Sequence, residues 1–185
     1  MRDRIDLAVD PLTSADKFEA AGGLGGGGGA AAHMGKGVKQ RDKIRMTDDE
    51  IAEFLRGKHT MSLASINADG SIHLVAMWYG FLEGEIAFET KAKSQKVANL
   101  RRNPNITCMV ETGDDYNELK GVQIIGTAEI FDDRDRMLEM GKSVFSRHVG
   151  PYTDDMLPAV EMMLNKRVGI KVHHTRVASW DHSKL

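Results

Sequence analysis

Six short apolar runs set apart by turn residues, with helical stretches inserted among them, limit this chain to a small antiparallel β architecture. The runs occupy residues 61–67, 72–82, 85–90, 106–111, 121–131 and 168–173. Ala68-Asp69-Gly70-Ser71 and Glu83-Gly84 read as tight turns, so the first three runs are expected to form a meander. Thr47-Asp48-Asp49-Glu50 is a capping box ahead of Ile51, Phe54 and Leu55, and Gly57 ends that helix. A second helix starts at Ser94 and stops before Pro104. A third, from Asp132 to His148, carries Met137, Met140, Val144 and Phe145 on one side and breaks at Gly150-Pro151. A fourth is capped by Thr153-Asp154-Asp155 and runs to Asn165. The expectation is a mainly β fold, a six-stranded antiparallel barrel decorated by helices.

The first 33 residues differ from the rest. Residues 4–21 could form a short helix interrupted by Pro11, and a run rich in glycine follows from Gly22. Such a run does not offset its ordering entropy and reads as a linker. Ala30-Ala31-Ala32-His33-Met34 looks like a cloning scar before a native start, so residues 1–33 read as an appended tag or docking peptide plus linker. A natural low-complexity extension is the alternative. Residues 34–185 then form one domain, opened by a basic arm of Lys36, Lys39, Arg41, Lys43 and Arg45. The net charge of −2 argues against a general nucleic-acid binder. No run approaches the about 18 apolar residues of a membrane span. The single cysteine, Cys108, lies in an apolar run and fits a reducing compartment better than nucleophilic chemistry. A cytoplasmic protein is expected.

The segment 90–104 carries the chemistry. Between Lys91 and Asn103 there are five basic residues and no acidic one. Lys91, Lys93 and Lys96 crowd the positive end of a helix, which disfavours cations unless an anion such as phosphate binds there. Met77-Trp78-Tyr79-Gly80 reads either as core or as a flat wall for a conjugated ring, beside a glycine that permits close approach. Trp180, near the C-terminus, is an anchor or a lid over a pocket, reaching across a dimer in one version. No histidine pair has helical ligand spacing, and His173 and His174 are expected on opposite faces of a strand, so no metal site is predicted. The Gly-x-Gly-x-x-Gly matches in the linker follow no strand and carry nothing.

Taken together, Met77-Trp78-Tyr79, Thr90 through Lys96, Asn99-Leu100-Arg101-Arg102-Asn103-Pro104, Gly150-Pro151-Tyr152-Thr153, Asn165-Lys166-Arg167-Val168 and Ser179-Trp180-Asp181-His182 resemble the split-barrel flavin-fold superfamily that includes pyridoxamine phosphate oxidases. Within it the sequence is most similar to the actinobacterial deazaflavin-dependent (coenzyme F420) oxidoreductases, over residues 46–185. The resemblance implies a homodimeric split barrel with the cofactor between barrels. By motif position, Thr90, Ser94 and Lys96 would hold the phosphate, with Lys91 or Lys93 near the acidic tail of F420. Backbone groups of Leu63, Ala64 and Ser65, and of Met77, Trp78 and Tyr79, would flank the tricyclic ring. The implied activity is hydride transfer from reduced F420 to a conjugated or quinone-like small molecule. An FMN-dependent enzyme of the same fold, or a non-catalytic deazaflavin or haem carrier, is the alternative. Tyr79 and Tyr116 are the side chains open to a proton-donor role.

Overall fold

The computed structural model describes residues 40–185. The tag-and-linker reading of residues 1–33 and the first part of the basic arm lie outside the described residues. What is described of the arm is an exposed turn of helix, α1 (Gln40–Lys43). After it the chain is tied to the C-terminus: Met46 N donates to Ser179 Oγ at 3.1 Å, and Asp181 N to the Ile44 carbonyl at 2.6 Å.

The next helix, α2 (Asp48–Arg56), begins at the expected capping box, with Glu50 N donating to Thr47 Oγ1 and Thr47 N to the Glu50 carboxylate. The strands are β1 (Met61–Ile66), β2 (Ile72–Met77), β3 (Gly80–Leu82), β4 (Glu85–Lys91), β5 (Asn105–Thr112), β6 (Lys120–Phe131) and β7 (Arg167–Asp181). Between them stand α3 (Gln95–Arg102), α4 (Arg134–His148) and α5 (Leu157–Leu164). All strand pairs are antiparallel, in one curled sheet of seven strands ordered β2-β1-β5-β6-β7-β4-β3.

The seventh strand corrects the expected six, and the meander is not there. Residues 72–82 are two strands, and β2 and β3 lie at opposite edges of the sheet. The break falls at Trp78-Tyr79. Tyr79 is fully buried, donating its hydroxyl to the Leu55 carbonyl at 2.8 Å. Its own carbonyl is held by Arg147 Nε at 3.1 Å and His148 Nε2 at 3.0 Å, so no sheet partner is needed there.

The last strand also departs from expectation, running on to Asp181 rather than ending at His173. It does so through a bulge: Ile125 faces Arg176 but Gly126 faces His174, leaving Thr175 unpaired in the ladder. A Cβ at Gly126 would run into the His173 backbone carbonyl, so this close approach needs glycine. The bulge overrides simple alternation. The Nδ1 atoms of both His173 and His174 approach the buried Glu85 carboxylate, at 2.7 and 3.6 Å, where opposite faces were expected.

Inside the curl, Met61, Leu63, Tyr79, Phe88, Ile106, Cys108, Ile124 and Ile170 form the main core. A smaller cluster of Leu82, Ala87, Phe131, Met140 and Val144 seats α4 on the sheet. Burial pushes the Cys108 thiol up to about 12, which removes it as a nucleophile. Alternation along β1 and β2 turns Leu63 and Val75 inward and leaves Ile72 and Leu74 exposed on the outer face. No described helix is long and apolar enough to cross a membrane.

An ionic cluster fastens α4 and the β3–β4 turn to β6 and β7. Arg136 pairs with Glu129 at 2.7 Å and Glu83 at 3.1 Å, while Lys171 reaches both carboxylates. The hydrogen bond from Arg136, helped by His173, holds the Glu129 carboxyl down at about 2. A carboxyl lowered in the folded state stabilises above the unfolded value and loses that contribution as pH falls. Melting temperature should therefore drop between the ordinary carboxylate range and pH of about 2. A melting series on wild type and Glu129→Gln checks this: the variant should show the shallower acid slope, and equal slopes would rule Glu129 out.

Candidate functional site

The strand–turn–helix from Thr90 to Arg102 brings three of the expected phosphate ligands together. Lys96 is 9% exposed, and its Nζ donates to Thr90 Oγ1 at 3.1 Å; Ser94 Oγ lies 3.4 Å from the same hydroxyl. Ser94 has the extended backbone of an N-cap, yet its side chain accepts no bond from the first-turn amides of α3. The hydroxyl turns to Thr90 instead, which leaves the amide end of the helix without its usual internal acceptor. Burial, and then the charge of Arg167, push the Lys96 ammonium below its ordinary value. Arg167 arrives from β7, paired in register with Lys91. It also lies 3.9 Å from the buried Glu89, whose own carboxyl is raised by burial. Two like charges near an uncapped helix N-terminus form a donor set suited to an anion with several oxygens. Lys91 and Lys93 are exposed on the lip of this turn.

One turn further along α3, Asn99 joins the cradle to the sheet. It is fully buried, donating to Ser65 Oγ at 3.1 Å and Asn67 Oδ1 at 2.8 Å, while Gln95 donates to its carbonyl oxygen at 2.9 Å. Ser65 and Ala64 line a cleft of ≈ 270 Å³ with Ile66, Ile72, Thr107 and Ile125. The phosphate candidates and the expected β1 wall are thus neighbours, and Leu63 supports that wall from inside the core.

The remaining expected site residues lie elsewhere. Met77 pairs with Met61 at the start of β1, the end opposite the cleft. Trp78 is 49% exposed beside it. Tyr79 does not flank an open site: its ring is core, its carbonyl is engaged, and burial pushes its hydroxyl up to about 12, which removes it as a proton donor. Tyr116 is exposed and packs edge-on against His182 near the C-terminus. Trp180 pairs with Gly121, where a Cβ would run into the indole. It sits 13 residues along β7 from Arg167, a path of at most roughly 40 Å along the strand at about 3.3 Å per residue. Within one chain Trp180 is therefore an anchor for the sheet end and no lid for the cradle.

Residues 47–181 match the pyridoxamine 5'-phosphate oxidase family. The chain belongs to that family. A conserved hypothetical protein from Mycobacterium tuberculosis, Rv2991, is 48% identical, with a TM-score of 0.76 over 80% of this chain and 92% of that one. An F420 reductase is 27% identical, with a TM-score of 0.52 over 68% of this chain and 93% of its own. The haem storage protein HutZ from Vibrio cholerae, 13% identical at a TM-score of 0.55 over 70% of this chain and 91% of that chain, shares the fold. Comparison with curated proteins gave no match. The pyridoxamine 5'-phosphate oxidase family is one of oxidoreductases with flavin-like cofactors, and the cradle lies within the matched span. Sequence reasoning gave no role to Arg167, Asn99, Arg147 or His148. The first two lie in segments whose resemblance is evident, but only the β4–β7 pairing and the α3 packing bring them to the cradle.

Proposed function

We propose that this protein is a homodimeric coenzyme F420-dependent oxidoreductase that passes hydride to a conjugated or quinone-like acceptor. The observation that carries the reading is the cradle itself: buried Lys96 and Thr90 with half-buried Ser94 at an uncapped helix start, and Arg167 adding a second cation. That donor set fits the phosphate of a flavin-like cofactor. The exposed Lys91 and Lys93 favour F420 over FMN, because the F420 tail carries further negative charge beyond the phosphate. Similarity to an F420 reductase at 27% identity supports the same choice. The ≈ 270 Å³ cleft is below the about 300–1,000 Å³ of ordinary small-molecule pockets. A second copy packed on the exposed apolar outer face, where Ile72 and Leu74 stand, would supply the missing wall.

When bound, the cofactor supplies the hydride; the protein's part is binding, orientation and exclusion of water. Lys96 and Arg167 neutralise the phosphate, and Asn99 fixes α3 to β1 so that the cradle and the Ser65 wall keep their spacing. The test is direct. Purified from a host that makes both cofactors, the protein should carry or take up F420 tightly and oxidise its reduced form in the presence of menadione. Bound FMN with no affinity for F420 would overturn the choice of cofactor. Tight F420 binding with no turnover across a broad panel of acceptors would convert the reading to a carrier.

A further inference from the structure

Arg167 is half-buried, yet its side chain is poorly satisfied. Among the described residues its guanidinium donates no hydrogen bond, and its one ion pair, with Glu89, spans 3.9 Å. Glu89 gives little in return: it is buried, its Oε2 has no hydrogen-bond partner, and burial raises its carboxyl. The turn that delivers Arg167 is strained. Lys166 adopts a φ of 60°, a left-handed backbone that residues with a Cβ take rarely. Its carbonyl accepts from Ala92 N at 3.1 Å, which ties this turn to the lip of the cradle. Arg167 is thus fixed in a place where its own chain offers it little. A planar fork of donors held half-buried and unbonded is completed by an anion.

A concavity stands at this arginine. Arg167 lines a pocket of ≈ 330 Å³ between α4 and α5 that shares no lining residue with the Ser65 cleft. That volume falls within the about 300–1,000 Å³ of ordinary small-molecule pockets. Met137, Leu138 and Leu164 give it an apolar wall. Its other charges sort by pairing. Arg134 and Glu161 bond to each other at 2.8 Å, joining α4 to α5, and largely cancel. The start of α4 is capped by Asp133, which accepts from Arg136 N, so the pocket does not depend on a bare helix end. What remains is Arg167, with donors to spare, and the exposed acid Asp132. One carboxylate suits Arg167. A second negative charge would meet Asp132 and Glu161.

We propose that the α4–α5 pocket binds a monocarboxylate with an apolar body, its carboxylate on the Arg167 guanidinium and its chain on Met137, Leu138 and Leu164. This is a second ligand site, and it is coupled to the cradle through Arg167. The charge of Arg167 reaches Lys96. A carboxylate seated on Arg167 therefore withdraws part of the positive field that a phosphate in the cradle would use. Two anions that draw on one guanidinium weaken each other, by the same factor in each direction. The pocket ligand is thus a negative effector of cofactor binding. Only this coupling rests on the deazaflavin reading above; the pocket itself does not.

The test titrates octanoate into the full chain carrying isotope-labelled methionine methyls, followed by NMR, with octanol as the uncharged control. The resonance lost in Met137→Leu reports the pocket. Octanoate should shift it saturably, and octanol should bind about tenfold more weakly, as expected when a charge-assisted bond is missing. Suberate, with the same chain and a second carboxylate, should also bind more weakly than octanoate. Arg167→Met should abolish the preference for octanoate over octanol, and Leu138→Trp, which fills the pocket, should abolish binding. Asp132→Asn should instead tighten octanoate by about twofold, the size of an exposed charge interaction. A gain of this kind cannot come from a damaged fold. Saturating octanoate should raise the dissociation constant for coenzyme F420 by about fivefold or more in the wild type and leave it unchanged in Leu138→Trp. No saturable shift at Met137, equal affinities for octanoate and octanol, or a preference that survives Arg167→Met would each overturn the pocket. F420 affinity indifferent to octanoate, with the Met137 shift intact, would overturn the coupling alone. Failure of F420 to bind at all would overturn the deazaflavin reading and the coupling with it, while the octanoate result would stand.

Discussion

Lys96→Ala is expected to raise the dissociation constant for coenzyme F420 by about one to two powers of ten, because it deletes a charge-assisted bond worth roughly 1.5–3 kcal/mol. The apo protein should not suffer. Burial and the neighbouring Arg167 already hold the Lys96 ammonium below its ordinary value. A base lowered in the folded state costs stability at pH values where it must stay charged. Removing the charge relieves that cost, and Lys96→Met, which keeps the stem, should melt at or above the wild-type temperature. Thr90 retains Ser94 as a neighbour in either variant. Cofactor titration with melting of the apo proteins separates this from a merely solvated turn, which predicts the same melting result but no loss of affinity. Equal dissociation constants for wild type and Lys96→Ala would end the phosphate assignment.

The largest stability effect is expected at Arg147. Its guanidinium donates to four backbone carbonyls: Tyr79 at 3.1 Å, Arg56 and Leu55 at 2.8 Å, and Gly57 at 2.5 Å. Three of these belong to the C-terminal end of α2, where carbonyls lack helical partners and a cation is favoured. The fourth is at the break between β2 and β3. The same guanidinium lies 4.5 Å over the Tyr79 ring and 5.1 Å over Phe81. One side chain of α4 therefore closes the gap where the sheet is split. Arg147→Ala takes this donor from the half-buried Arg56 and Gly57 carbonyls, at about 1–3 kcal/mol each before water enters, while Leu55 keeps the Tyr79 hydroxyl and the Tyr79 carbonyl keeps His148. A net loss of about 3–5 kcal/mol is expected, or roughly 10 °C in melting temperature for a domain of this size. Arg147→Lys should recover only a small part, because an ammonium cannot span the carbonyls that a planar fork reaches. A loss below about 1 kcal/mol in urea unfolding would show that the fork is incidental.

Local chemistry made much of this legible in the sequence. The capping box at Thr47, the turn at Asp69-Gly70, and the helix that starts after Ser94 and stops before Pro104 each depend on residues a few positions apart. The cradle was legible for the same reason: Thr90, Ser94 and Lys96 lie within seven residues. A strand end turning into a helix must bring them close. What sequence could not decide was set by contacts between distant segments. A continuous apolar pattern over 72–82 says nothing of the Tyr79 carbonyl being claimed by α4, some seventy residues later. That contact divides the strand and sends β2 and β3 to opposite edges. Likewise, alternation puts His173 and His174 on opposite faces, and only the Thr175 bulge, set by pairing with β6, brings both towards Glu85. Arg167 becomes a cradle residue through strand pairing alone, and Trp180 leaves the cradle by the length of the same strand. Short-range hydrogen bonding and side-chain period are written into neighbouring residues; register, bulges and the choice of sheet edge depend on which distant segments win the competition for backbone groups.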